Sequence, residues 1–149
     1  MFAAGMTAAI LAAFTGCSSA SIYTQAEQDA MWVADQHMKA FSRHDIMAVN
    51  ALSHPDVTWM SFDGNASVVQ VNGHKGIEQY LTGYFSSVPN LRSEVQAISA
   101  TGPYITIRER SSWSDPHGDH AQTSIMVFEV RDGLIHRVWF YPPTREPEP

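Results

Sequence analysis

The sequence predicts an α+β fold, a long N-terminal helix against a curved antiparallel sheet, and three observations carry that prediction. An apolar stripe of helical period opens the globular part, a strand hairpin and a second amphipathic helix follow, and the remainder alternates like strands between turn-forming joins. With 149 residues, 44% hydrophobic and 16% charged, the chain can bury one ordinary core but not two. The formal charge of -6, with no Lys/Arg cluster, lacks the basic footprint that nucleic acid or an anionic lipid surface requires, so neither is expected as a partner.

Residues 1–16 carry no charged side chain and are dominated by Ala, Phe, Ile, Leu and Met. That is a secretory h-region, shorter than the roughly 20 apolar residues of a spanning helix. Leu11-Ala12-Ala13-Phe14-Thr15-Gly16-Cys17, followed by Ser18-Ser19-Ala20-Ser21, resembles a bacterial lipobox. The resemblance implies lipidation at Cys17 and anchoring in the bacterial cell envelope, the membrane being met only through that lipid. A plain cleaved signal peptide, which would leave a periplasmic protein, or an uncleaved anchor, with Cys17 incidental in either case, are the alternatives. Cys17 is the only cysteine, which excludes an intramolecular disulfide.

Residues 18–23 read as a tether after the 1–17 signal segment. Thr24 and Glu27 form a capping box, and Ala26, Ala30, Val33, Ala34, His37, Met38 and Phe41 follow at helical spacing. Asp45 caps a short helix over 46–52, ended by His54-Pro55 because a residue before proline leaves the helical region. Residues 57–61 and 67–71 form a hairpin about Asp63-Gly64-Asn65. Ile77, Tyr80, Leu81, Tyr84 and Phe85 define a helix over 74–85. Strands then occupy 93–100, 104–113, 121–130 and 134–141. Thr101-Gly102-Pro103, Ser114-Asp115-Pro116-His117-Gly118 and Arg131-Asp132-Gly133 join them as antiparallel neighbours, since no connector can hold a crossover helix. The domain spans 24–141, and residues 142–149 form a Pro-rich tail that is expected to be extended and mobile.

Three stretches, in this order and spacing, carry a likeness to a known family. They are His44-Asp45-Ile46-Met47-Ala48-Val49 leading to Asp56-Val57-Thr58, then Val71-Asn72-Gly73-His74-Lys75-Gly76-Ile77-Glu78-Gln79-Tyr80, then Phe128-Glu129-Val130-Arg131-Asp132-Gly133-Leu134-Ile135. With the element order they resemble the nuclear transport factor 2-like superfamily, in its SnoaL-like and ketosteroid-isomerase-like branch, over about residues 25–141. The resemblance implies a cone-shaped, cystatin-like fold whose bent sheet wraps the long helix. The mouth of such a cone holds a small apolar molecule, and its outer sheet face often pairs two copies, which makes a homodimer the expected assembly. Phe41, Trp59, Ser61, Tyr80, Tyr84, Ser112 and Phe140 are the expected lining.

The family's known chemistries test poorly against these residues. Ungapped register from Asp45 puts Ser61 at the ketosteroid isomerase base and His37 at its tyrosine, and Ile125 or Met126 at its acid. For limonene epoxide hydrolase the register keeps Arg110 but puts Ser112 and Phe140 at the aspartates, and Trp59 and Ser61 at the water-holding pair. A one-residue slip in a strand would reverse every such assignment. The catalytic candidates that remain are His37, Asp63 and Arg110. His37 is a base if it faces the cone and a core histidine otherwise, and Asp63 is a displaced base or a turn residue. Arg110 shares one strand face with Arg108 while Glu109 takes the other, so the arginines polarise a substrate oxygen or sit in solvent. Asp115, His117, Asp119 and His120 are explained by a turn rather than a metal site, and no metal or cofactor is expected. The expected function is an exported domain binding a small hydrophobic molecule. The alternatives are a SnoaL-like enzyme of the isomerase, cyclase or hydrolase type and a dimeric assembly module.

Overall fold

The computed structural model describes residues 21–146, so the signal segment, the lipobox and Cys17 lie outside the described residues. Helix α1 (Gln25–Ser42) starts at the expected capping box: the Thr24 hydroxyl accepts from the Glu27 amide and the Glu27 carboxylate accepts from the Thr24 amide. The second Glu27 oxygen accepts from the Gly102 amide at 2.9 Å, which ties the helix start to a turn of the sheet. The stripe Ala30, Val33, Ala34, His37 and Met38 is buried. Helix α2 (Ile46–Ala51) begins where Asp45 accepts from the Ala48 amide.

Strand β1 (Ser53–Asp63) starts earlier than expected, directly after α2, and contains Pro55. The ladder to its neighbour breaks between Ser53 and Thr58, so Pro55 need not supply an amide there. Strand β2 (Ala66–Asn72) returns through Gly64, whose φ of 60° lies in the left-handed region that favours glycine. Helix α3 (Gly73–Ser87) follows, then β3 (Arg92–Thr101), β4 (Tyr104–Asp115), β5 (Gly118–Arg131), β6 (Leu134–Phe140) and the short β7 (Thr144–Arg145).

The sheet order is β2-β1-β6-β5-β4-β3. The expected hairpins β1–β2, β3–β4, β4–β5 and β5–β6 all form antiparallel ladders. Strands β1 and β6 close the middle of the sheet in parallel, a pairing distant in sequence that makes the sheet mixed. Helix α1 packs on β3, β4, β5 and β6, and α3 packs on β1 and β2, so both helices lie on one side. The core between them is built from Val57, Trp59, Ile77, Leu81, Ile105, Ile107, Phe128 and Val138.

Residues 142–146 depart from the expectation of a mobile segment. Strand β7 pairs with β5 through Gln122↔Arg145 and Thr123↔Thr144, the Glu146 amide donates to the Ala121 carbonyl at 2.9 Å, and the Glu146 carboxylate binds Arg110. Backbone pairing of β5 beyond the end of β6 holds them; a Pro-rich composition does not reveal such a partner. Among the described residues, no helix is long and apolar enough to cross a membrane.

Candidate functional site

The open end of the fold contains a cavity of about 410 Å³. Phe41 enters it from α1, Tyr80 and Tyr84 from α3, Trp59 and Ser61 from β1, and Phe140 from β6, with Tyr141 and Pro143 at the start of the tail. Six of the seven expected lining residues therefore meet in one cavity. Their rings make walls at different angles. Tyr84 stacks on Tyr80 at an interplanar angle of 15° and on Phe41 at 26°, whereas Trp59 stands at 81° to Tyr80 and Phe140 at 65° to Trp59.

The polar part of the lining comes from alternation on β4 and β5. Ile105, Ile107, Glu109 and Ser111 share the concave face of β4 and are buried, and Gln122, Ser124 and Met126 share that of β5. Glu109 is 5% exposed. It accepts a hydrogen bond from the Ser93 hydroxyl on β3, and the hydroxyls of Ser111 on β4 and Ser124 on β5 lie close enough to act on it. Burial pushes its pKa above the ordinary carboxylate value, and the three hydroxyls act in the opposite sense. Burial also raises the Tyr80 phenol, and raises that of Tyr84 to about 12 with help from the nearby Glu109. At the lip, the Gln70 amide donates to the Ser61 hydroxyl at 2.8 Å.

Two of the three expected catalytic residues, His37 and Arg110, are not brought together there. His37 is 3% exposed and sits behind the cavity wall, with ring centroids 5.9 Å from Trp59 and 5.4 Å from Phe128, both edge-on. Neither ring nitrogen has a hydrogen-bond partner, and burial lowers the pKa to about 4, so the imidazole is neutral at pH 7. Asp63 is the last residue of β1, opposite Ala66 at the hairpin turn. Arg110 lies on the convex face. Its guanidinium clamps both oxygens of Glu146 at 2.9 to 3.1 Å, and it borders a separate depression with Arg92, Ser112 and Arg145. Arg110 and His37 thus share no cavity among the described residues. Ser112 is likewise corrected from the cone lining to the outer face, because it has the parity of Arg110 and not of Glu109.

Glu109 is the group that sequence reasoning passed over. Alternation already set it on the face opposite Arg108 and Arg110, and Ile105 and Ile107 at the same parity marked that face as the buried one. The acidic and histidine-rich stretch forms a turn: Asp115 accepts from the His117 amide at 2.7 Å, and His120 Nε2 lies 3.0 Å from the Asp115 carboxylate. Among the described residues, no cluster of His, Cys, Asp and Glu is arranged to hold a metal.

A family model described as a SnoaL-like domain matches residues 34–138. No curated protein sequence matches the chain. Among solved structures, a protein described as a SnoaL-like polyketide cyclase from Jannaschia is 12% identical with a TM-score of 0.69, the match covering 81% of this chain and 90% of that one. One described as a ketosteroid isomerase from Kribbella flavida is 20% identical with a TM-score of 0.63, covering 83% and 84%. A nuclear transport factor 2-like protein of unknown function from Burkholderia pseudomallei is 17% identical with a TM-score of 0.63, covering 79% and 91%. Likenesses at this identity establish the cone-shaped fold and leave the chemistry to the residues of this chain.

Proposed function

This chain belongs to the SnoaL-like domain family, and from that premise we propose that it binds a small hydrophobic molecule in its cone, with Glu109 as the polar anchor. The observation that carries this is one carboxyl, 5% exposed, inside an otherwise aromatic and hydroxylic cavity of about 410 Å³. A buried carboxyl is costly to the fold unless it is hydrogen-bonded, paired or protonated, and convergent polar groups in an apolar pocket are the usual form of a small-molecule site. Native mass spectrometry of the purified protein, with intact masses compared before and after denaturation, tests it. A bound small molecule lost on denaturation, and absent from Phe140→Arg, is the expected result. An empty protein that binds no apolar probe overturns it.

Glu109 also favours a second reading, proton-transfer catalysis of the kind suggested by the names of the cyclase and isomerase neighbours. A carboxyl whose pKa is raised toward neutrality is suited to give and take a proton at a bound substrate. Solvent deuterium appearing in the co-purified ligand with the wild type but not with Glu109→Gln is the expected outcome. Equal exchange with both proteins removes the catalytic role and leaves the binding role. The lipobox-like stretch ending at Cys17 supports export and lipid anchoring of this domain, for which loss of membrane fractionation in Cys17→Ser is the test.

A further inference from the structure

We infer that the cone selects a hydrophobic organic cation, an amine or quaternary ammonium whose nitrogen sits between the aromatic walls and the Glu109 carboxylate. This rests on the cone being the ligand site, as proposed above, and adds the charge of the ligand. Among the described residues that line the cavity there is no Lys, Arg or His, and Glu109 is the single carboxyl. An anionic ligand would place a second negative charge beside it with no counter-charge, in a protein of formal charge -6.

The aromatic lining suits a cation. Tyr80, Tyr84 and Phe41 lie nearly parallel, and Trp59 stands almost perpendicular to Tyr80. Rings set at steep angles offer π-electron faces to one enclosed point from more than one side, which is how quaternary ammonium groups are held. The Trp59 Nε1 is buried without a partner; an acceptor atom on the ligand can satisfy it.

Glu109 completes the arrangement. The Ser93 hydroxyl donates to it, with those of Ser111 and Ser124 close by, yet burial disfavours its charge and, among the described residues, no side chain of the lining neutralises it. A cationic ligand supplies the missing partner, and an opposite charge at close range favours the ionised carboxylate against the desolvation that disfavours it. The other titratable groups of the lining are Tyr80 and Tyr84 from α3 and Tyr141 after β6. None of these phenols can provide a positive charge.

Benzyltrimethylammonium and neopentylbenzene have the same shape and differ in charge, so calorimetric titration of both into the purified protein separates charge from size. The wild type is expected to bind the ammonium about tenfold more tightly or better. Glu109→Gln, checked for folding by its thermal transition, is expected to erase most of that preference while leaving neopentylbenzene unaffected. Equal or tighter binding of neopentylbenzene by the wild type overturns the cation assignment and leaves the cone as a ligand site. Binding of neither probe overturns both proposals. A preference that survives Glu109→Gln also overturns the assignment, and should that variant fail to fold, the wild-type comparison decides alone.

Discussion

His37 is a buried imidazole that the fold tolerates only in its neutral form. Its two nitrogens lack partners and its pKa is lowered from 6.5 to about 4. The unfolded chain therefore binds a proton at a higher pH than the folded protein does. The resulting stability is complete above about pH 6.5 and drains away as the pH falls toward 4, by roughly 3 kcal/mol in all. Glu109 acts in the other sense, since its pKa is raised: its contribution declines as the pH climbs above the ordinary carboxylate value. His37→Leu is expected to raise stability at pH 5 by about 2 kcal/mol relative to its effect at pH 7.5. Urea unfolding at the two pH values measures this, and an identical effect at both would show that His37 does not titrate across the transition.

At the scale of elements, the β2–α3 junction and the alternation of β4 do most to form the site. Gly73 opens α3 with a φ of 68°, and a Cβ at this position would lie 3.0 Å from the Pro55 carbonyl oxygen. Strain and contact act together there, so Gly73→Ala is expected to cost about 1 to 3 kcal/mol, read from the urea midpoint. A cost below 0.5 kcal/mol would mean that the junction relaxes freely. Because α3 carries Tyr80 and Tyr84, the same variant should weaken ligand binding beyond its effect on stability. On β4, period-two geometry sends Glu109 and Ser111 into the cone and Arg110 and Ser112 to the convex face. A one-position shift in that strand would have exchanged a carboxyl site for a guanidinium site.

The whole molecule is built on a single sheet with two unlike faces. The concave side holds the cone, and the convex side carries Tyr104, 42% exposed, and Ile125, 48% exposed, with Trp139 beside Tyr104 at 6.3 Å between ring centroids. We propose that this convex face pairs two copies of the chain, since exposed apolar side chains clustered on one sheet face mark an interaction surface. Sedimentation at micromolar concentration is expected to give a dimer, and Ile125→Asp a monomer with its fold retained. A monomeric wild type removes the proposal.

What the sequence by itself determined was local. Capping chemistry at Thr24 and Asp45, the helical stripes, the turn residues and the hairpin ladders all follow from interactions between residues close in the chain. Six of the seven residues expected at the lining from the family resemblance border one cavity. Tertiary structure alone decided the rest. The parallel pairing of β1 with β6, the docking of β7 on β5 and the capture of Glu146 by Arg110 join segments far apart in sequence. The surroundings of Glu109 are of the same kind: Ser93 on β3 and Ser124 on β5 come beside it only once the sheet is built. Periodicity assigns a side chain to one face or the other; which face becomes the dry interior of a cone depends on how the sheet curves and what packs against it.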